Sequence, residues 1–113
     1  MKRPETMYIQ NSYNSKKTAV FLVTETYILN NQIAVLLYDA KSWEYYSDLS
    51  VFVEPFEKEN YMAVDVNNLP MAEEFIQRYN LWKLVGYTYS WFVSYPVYAM
   101  DMEELKKRDT PMG

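Results

Sequence analysis

The sequence predicts an α+β fold: a twisted antiparallel sheet of about five to seven strands, one main helix packed on it and a short C-terminal helix, in a single domain over residues 1–113. Three observations predict it. Runs rich in β-branched and aromatic residues recur along the chain, separated by short polar turns. One segment, "NNLPMAEEFIQRYNLW", carries the apolar spacing of a helix. Half of the 113 residues are apolar, enough for one hydrophobic core and too few for two.

Each element follows from local chemistry. "TAVFLVTETYIL" and "QIAVLLYD" are apolar on both faces, as central strands covered on each side are, and Asn30–Asn31 between them offers the backbone of a tight hairpin turn. Asp39–Ser42 turns the chain again, and "WEYYSDLSVFVE" is the expected third strand. "EPFEKEN" is a charged loop, and "YMAVDV" a short strand with Met62, Val64 and Val66 on one face. In the helix, Asn67 and Asn68 are capping candidates, and Pro70 suits a first turn whose N–H groups are unpaired. Ala72, Phe75, Ile76 and Tyr79 form its apolar stripe, while Glu74 and Arg78 pair at i, i+4 on the other side. Glu73 and Glu74 suit the positive end of the helix dipole.

The stretch "LVGYTYSWFVSYPVYAM" (Leu84–Met100) has no charge and four tyrosines. It is shorter than the roughly 20 apolar residues of a membrane-spanning helix and is diluted by Gly86, Ser90, Ser94 and Pro96, so it reads as two strands. Alternation puts Tyr87 and Tyr89 on one face and Leu84, Gly86 and Thr88 on the other. Pro96 has no N–H for a ladder, which predicts an edge strand or a bulge. "DMEELKKRD" closes the chain as the short polar helix, and a few residues at each terminus are expected to fray.

The chain has neither histidine nor cysteine, which removes imidazole chemistry, thiolate nucleophiles, disulfides and zinc sites built on those ligands. No Gly-rich phosphate loop exists, for there are only two glycines. Asp39-x-Lys41 has no upstream acid at a convincing spacing for a nuclease, and Asp65–Asn68 lacks the glycine and closing glutamate of a calcium loop. The expectation is therefore a soluble, cytoplasmic, non-enzymatic protein with no cofactor and no metal.

Net charge is −4, and its distribution is informative. Between Asp39 and Glu74 nine acids face two lysines. Such a surface disfavours direct nucleic-acid binding and favours a protein partner with a basic surface. The most interface-like hexamer is "WEYYSD", where Trp43, Tyr45 and Tyr46 stand beside Glu44 and Asp48. Glu54, Glu57 and Glu59 of the following loop complete the candidate partner-binding set. The competing reading is an ordinary amphipathic strand with Trp43 in the core. A homodimer assembled along the Pro96 edge is the alternative partner.

"VDVNNLPMAEEFIQRYNL…VGYTYSWFVSYPVYAMD" resembles an uncharacterised family of small bacterial proteins, a domain of unknown function. Its hallmarks are a strand ending in D-x-N-N, a Pro-opened A-E-x-F-I helix and a closing Y-P-[LV]-Y. Here these are Asp65, Asn67, Asn68, Pro70, Ala72, Glu73, Phe75, Ile76, Tyr95, Pro96, Val97 and Tyr98. The resemblance lies mainly in the C-terminal half. It departs at Leu69, where relatives carry a cysteine, and at Tyr89 and Trp91, where they are glycine-rich. What it implies is a setting on plasmids and conjugative elements of Firmicutes, and with it an anti-defence role: an anti-CRISPR inhibitor of a type II (Cas9) effector. The family supplies no catalytic residues, and its motif reads as structural. The other role consistent with that setting is a mobile-element accessory protein without anti-defence activity.

Overall fold

Residues 6–10, 16–26, 33–51, 53, 60–90, 92–101, 103 and 105 are described by the computed structural model. Among these described residues, seven strands and one complete helix follow in the order β1 (Met7–Gln10), β2 (Lys17–Thr26), β3 (Ile33–Asp39), β4 (Tyr45–Asp48), β5 (Tyr61–Ala63), α1 (Ala72–Arg78), β6 (Trp82–Ser90) and β7 (Val93–Met100). The class is α+β, but the single expected sheet is two antiparallel sheets, one in the order β1-β2-β3-β4 and one in the order β5-β7-β6. The turn at Asn30–Asn31 and most of the C-terminal helix lie outside the described residues. Of that helix, Glu103 and Leu105 are helical, and the Leu105 N–H donates to the Asp101 carbonyl at 2.9 Å.

The division occurs where the long third strand was expected. Pairing of β4 with β3 ends at Asp48, and the chain bends at Leu49. The N–H groups of Leu49 and Ser50 then both donate to the Val35 carbonyl, at 2.9 and 3.2 Å. The buried Ser50 hydroxyl accepts the Val35 N–H at 2.9 Å. Ser50 next bridges Val64, flanked by Val51 N–H to the Ala63 carbonyl and Asp65 N–H to the Leu49 carbonyl, both at 3.0 Å. One short bridge thus passes the chain from one sheet to the other. β1 is an added strand, in which Met7 and Ile9 are buried and Tyr8 is exposed, the half-buried alternation of an antiparallel sheet.

The core lies between the sheets and α1. Val20, Leu22, Val35 and Leu37 from the first sheet join Met62, Val64, Tyr98 and Met100, with Ala72, Phe75 and Ile76 of the helix. Each large side chain so buried stabilises the fold by roughly 1.5–3 kcal/mol. The helical stripe is as the spacing predicts, and the Glu74–Arg78 pair forms at 2.8 Å.

The helix ends differ from expectation at one side. Met71 is the N-cap and makes no side-chain cap, while Asn67 and Asn68 sit in the preceding turn. That turn is held by Asp65, whose carboxylate accepts both the N–H of Asn68 and its side-chain amide, at 3.3 and 3.0 Å. At the other end Asn80 takes a left-handed φ of 50°, which Asn tolerates. The N–H of Asn80 reaches the Gln77 carbonyl and that of Leu81 the Ile76 carbonyl. This is a Schellman stop, with Leu81 and Ile76 supplying its apolar contact in the core.

Pro96 is not at an edge. β7 is the central strand of its sheet, so a dimer along a Pro96 edge has no edge to use. Proline is tolerated there because the ladder ends beside it. The Pro96 carbonyl still accepts the Val64 N–H at 2.9 Å, and the Val64 carbonyl, which a Pro96 N–H would have bonded, accepts the Val66 N–H at 2.9 Å instead. β6 is the outer strand, with a bulge between Leu84 and Gly86. The bulge moves Leu84, paired with Tyr98, onto the face of Tyr87 and Tyr89, which pair with Pro96 and Ser94. Strict alternation had placed Leu84 on the opposite face.

Candidate functional site

The predicted hexamer folds into an aromatic ridge on the outer face of the first sheet. Its base is the tight turn after β3. The Asp39 carboxylate accepts the N–H groups of Lys41 and Ser42 at 2.8 and 3.1 Å, and the Trp43 N–H donates to the Asp39 carbonyl at 2.8 Å. These donors, Ser42 first and then Lys41, hold the Asp39 carboxyl below its usual range. The turn leaves Trp43 in the left-handed region at φ 62°, a conformation that costs a side-chain-bearing residue of order 1–3 kcal/mol and is kept only when its surroundings enforce it.

Those surroundings are rings. Phe21 and Tyr38 pair across β2 and β3 on the face opposite the core. Phe21 is fully buried, and its centroid lies 5.2 Å from that of Trp43 and 6.0 Å from that of Tyr38. Tyr38 in turn meets Tyr45 edge-on at 6.1 Å. Such ring pairs add about 0.5–1.5 kcal/mol each beyond burial. Trp43 and Tyr45 still present 43% and 56% of their surface to solvent.

A second bulge, between Leu37 and Tyr38, sets the chemistry of the ridge. It pairs Tyr45 with Tyr38 and Asp48 with Leu36, so two residues three apart share the outer face. The Tyr45 hydroxyl donates to Asp48 Oδ1 at 2.9 Å. Partial burial, and then the carboxylate, push the Tyr45 phenol up. Tyr46 is turned inward and packs against the core. The structure therefore brings Trp43, Tyr45 and Asp48 together, leaves Glu44 exposed beside them, and leaves Tyr46 half-buried against the core. Glu54, Glu57 and Glu59 lie outside the described residues. Trp43 is not in the core: it packs on Phe21, on the face opposite the core.

Phe21 and Tyr38, which hold the ridge, were not among the candidates. The two-residue turn expected at Asn30–Asn31 would pair Tyr38 with Val23 and Phe21 with Ala40, two residues out of the observed register, yet it would put Phe21 and Tyr38 on one face all the same, so the pairing rule carried part of that signal. Beside the ridge an open groove of about 320 Å³ is lined by Tyr8, Lys16, Lys17, Asp39 and Lys41, so the sign of the surface changes across the turn.

The motif residues are structural in their contacts. Asp65, Phe75, Pro96 and Tyr98 are buried, Tyr95 is half-buried, and Asn67, Asn68 and Pro70 are exposed. The Tyr98 hydroxyl donates to Glu73 Oε1 at 2.7 Å, so Glu73 does more than complement the helix dipole. Burial, and then Glu73, push the Tyr98 phenol up to about 12. A second set of aromatics stands bare on the β6–β7 hairpin: Tyr87 is 60% exposed, Tyr89 78%, and Phe92 at the tip fully.

Among the described residues, no helix is long and apolar enough to cross a membrane. No curated protein and no solved structure matches the chain. A family match begins at Phe21 and so takes in the second part of β2 and the aromatic ridge as well as the C-terminal motif. On that match over residues 21–111, the chain belongs to the family described as Domain of unknown function (DUF4313).

Proposed function

We propose that the chain is a non-enzymatic binding protein that docks on a basic protein surface through the ridge formed by Trp43, Glu44, Tyr45 and Asp48. The observation that carries this reading is the pair of exposed rings, Trp43 and Tyr45, held from beneath by Phe21 and Tyr38. Tryptophan and tyrosine are the usual anchors of interfaces, and rings already fixed lose little freedom on binding. Glu44 and Asp48 beside them steer a cationic partner and speed its approach. The finer step follows the mobile-element setting that the resemblance implies: the partner is the basic channel of a bacterial nucleic-acid-handling defence complex, a type II CRISPR effector, and the protein inhibits it.

The test is target cleavage by a guide-loaded Cas9 of a Firmicute in the presence of the purified chain. Inhibition is expected, and Glu44→Lys with Asp48→Lys abolishes it without changing the circular dichroism spectrum. Trp43→Ala separates anchor from charge by weakening inhibition at every salt concentration. Cleavage that proceeds unimpaired overturns the effector as partner. Inhibition that survives both charge reversal and Trp43→Ala overturns the ridge.

A further inference from the structure

We propose that β6 is a self-association edge: two copies pair their β6 strands antiparallel about a two-fold axis at Thr88, joining two three-stranded sheets into one of six strands. The surface is distinct from the Trp43 ridge and does not depend on it.

The other sheet margins are short or partly used, whereas β6 is long. At β1 the Tyr8 N–H donates to the Tyr79 hydroxyl at 2.6 Å, so the end of α1 blunts that edge. β4 is only four residues long, and on the free side of β5 the Val51 N–H already donates to the Ala63 carbonyl at 3.0 Å. β6 is nine residues long and pairs only with β7 among the described strands. Which of its backbone groups face outward follows from the ladder. The Pro96 carbonyl points to Val64, away from β6, so Tyr87, opposite Pro96, turns its own N–H and C=O outward. Tyr89, two residues on, does the same.

The side chains fit a second copy. Tyr87, Tyr89 and Phe92 are 60%, 78% and fully exposed, which amounts to about 500 Å² for side chains of this size. Leu84 and Val85 add to it. A stable interface needs about 800 Å² per partner, and the strand backbone itself supplies much of the remainder. Lys83 is the one charge in β6. Antiparallel pairing sends the two lysines to opposite ends, whereas parallel pairing would set them side by side. The bulge at Leu84–Gly86 confines regular pairing to Gly86–Ser90, and the centre of that segment is Thr88. Tyr87 of one copy then faces Tyr89 of the other, twice, as a two-fold axis requires. Thr88 meets its own copy as a non-hydrogen-bonded pair, with Cα atoms about 4.5 Å apart.

The absence of cysteine makes the register testable. The full chain is expected to sediment with twice the monomer mass. Thr88→Cys is expected to form a disulfide-linked dimer on mild oxidation, because the Cα separation is within disulfide reach. Glu25→Cys, an exposed strand position in the first sheet, forms none. Tyr89→Lys places like charges across the axis and weakens the dimer at least about tenfold, the change expected for loss of one interface anchor. Its circular dichroism and urea midpoint stay near those of the parent because the side chain is exposed. A monomeric mass at every attainable concentration overturns the proposal. So does a dimer that survives Tyr89→Lys or that fails to cross-link through Thr88→Cys, since either result places the contact elsewhere.

Discussion

Phe21 and Phe92 are the same residue type, both belonging to antiparallel hairpins, and they are opposite in fate: the first is fully buried, the second fully exposed. The difference is what reaches over each. On the first sheet the Asp39 turn folds Trp43 back across β2, and Tyr38 and Tyr45 complete a row of touching rings. On the second sheet the cover is α1, whose seven residues extend about 10 Å. β6, with nine residues, extends about 30 Å. The helix can seal only part of that length. It takes the Tyr98 end, through Glu73, and the hairpin with Tyr87, Tyr89 and Phe92 runs on beyond it. Aromatic content alone therefore does not distinguish a packed ring from a presented one. The length of the covering element does.

The sharpest way to break the comparison is to truncate the buried ring. Phe21→Ala is expected to lower unfolding stability by about 3–5 kcal/mol, because it removes apolar surface and leaves a cavity under Trp43. A urea titration reads the loss. The quenching of Trp43 fluorescence by iodide should rise in the same variant, provided that Trp82 and Trp91 are replaced by Phe in both proteins so that Trp43 is the sole emitter.

An intermediate effect is expected where helix and second sheet meet. Tyr98→Phe deletes the hydroxyl that Glu73 accepts and costs about 0.5–1.5 kcal/mol at neutral pH. Its alkaline behaviour is more distinctive. The folded phenol titrates at about 12, against about 10 in an unfolded chain. Between these values the unfolded chain has released its proton and the folded one has not, so stability is complete below pH 10 and falls as pH rises toward 12. Urea midpoints at pH 9 and pH 11 should therefore diverge more for the parent than for Tyr98→Phe.

The smallest effect is expected at the presented ring. Phe92→Ala should change the stability of the monomer by no more than about 0.5 kcal/mol, since nothing packs on it. Measured by urea at a concentration too low for association, a loss comparable to that of Phe21→Ala would mean that the two hairpins are covered alike.

Much of this molecule is legible from local pattern. The strands over Lys17–Thr26, Ile33–Asp39, Trp82–Ser90 and Val93–Met100 follow from β-branched and aromatic runs, and the stripe of Ala72, Phe75 and Ile76 from helical spacing. The Glu74–Arg78 pair follows from the same spacing. All of these are properties of neighbours along the chain, and periodicity of about 2 or 3.6 residues reports them directly.

What remained hidden depends on distant partners. Two bulges, at Leu37–Tyr38 and Leu84–Gly86, change which residues share a face, and a bulge is set by the strand opposite rather than by its own sequence. They turn Tyr46 inward, bring Tyr45 to Asp48 and carry Leu84 to the side of Tyr87. Taken by itself, the missing N–H of Pro96 predicts an edge strand or a bulge. The Val66 N–H, thirty residues earlier in the chain, takes the carbonyl it would have bonded and lets it sit in a central strand. Sequence by itself determined the α+β class, the order of most elements, the core stripe of the helix and the absence of imidazole and thiol chemistry. Only the tertiary structure decided that the strands divide into two sheets at Leu49–Ser50, and which aromatic rings are covered and which face solvent. The reason is physical: side-chain alternation is local, but burial and hydrogen-bond partnership are settled by whichever residues the rest of the chain brings within reach.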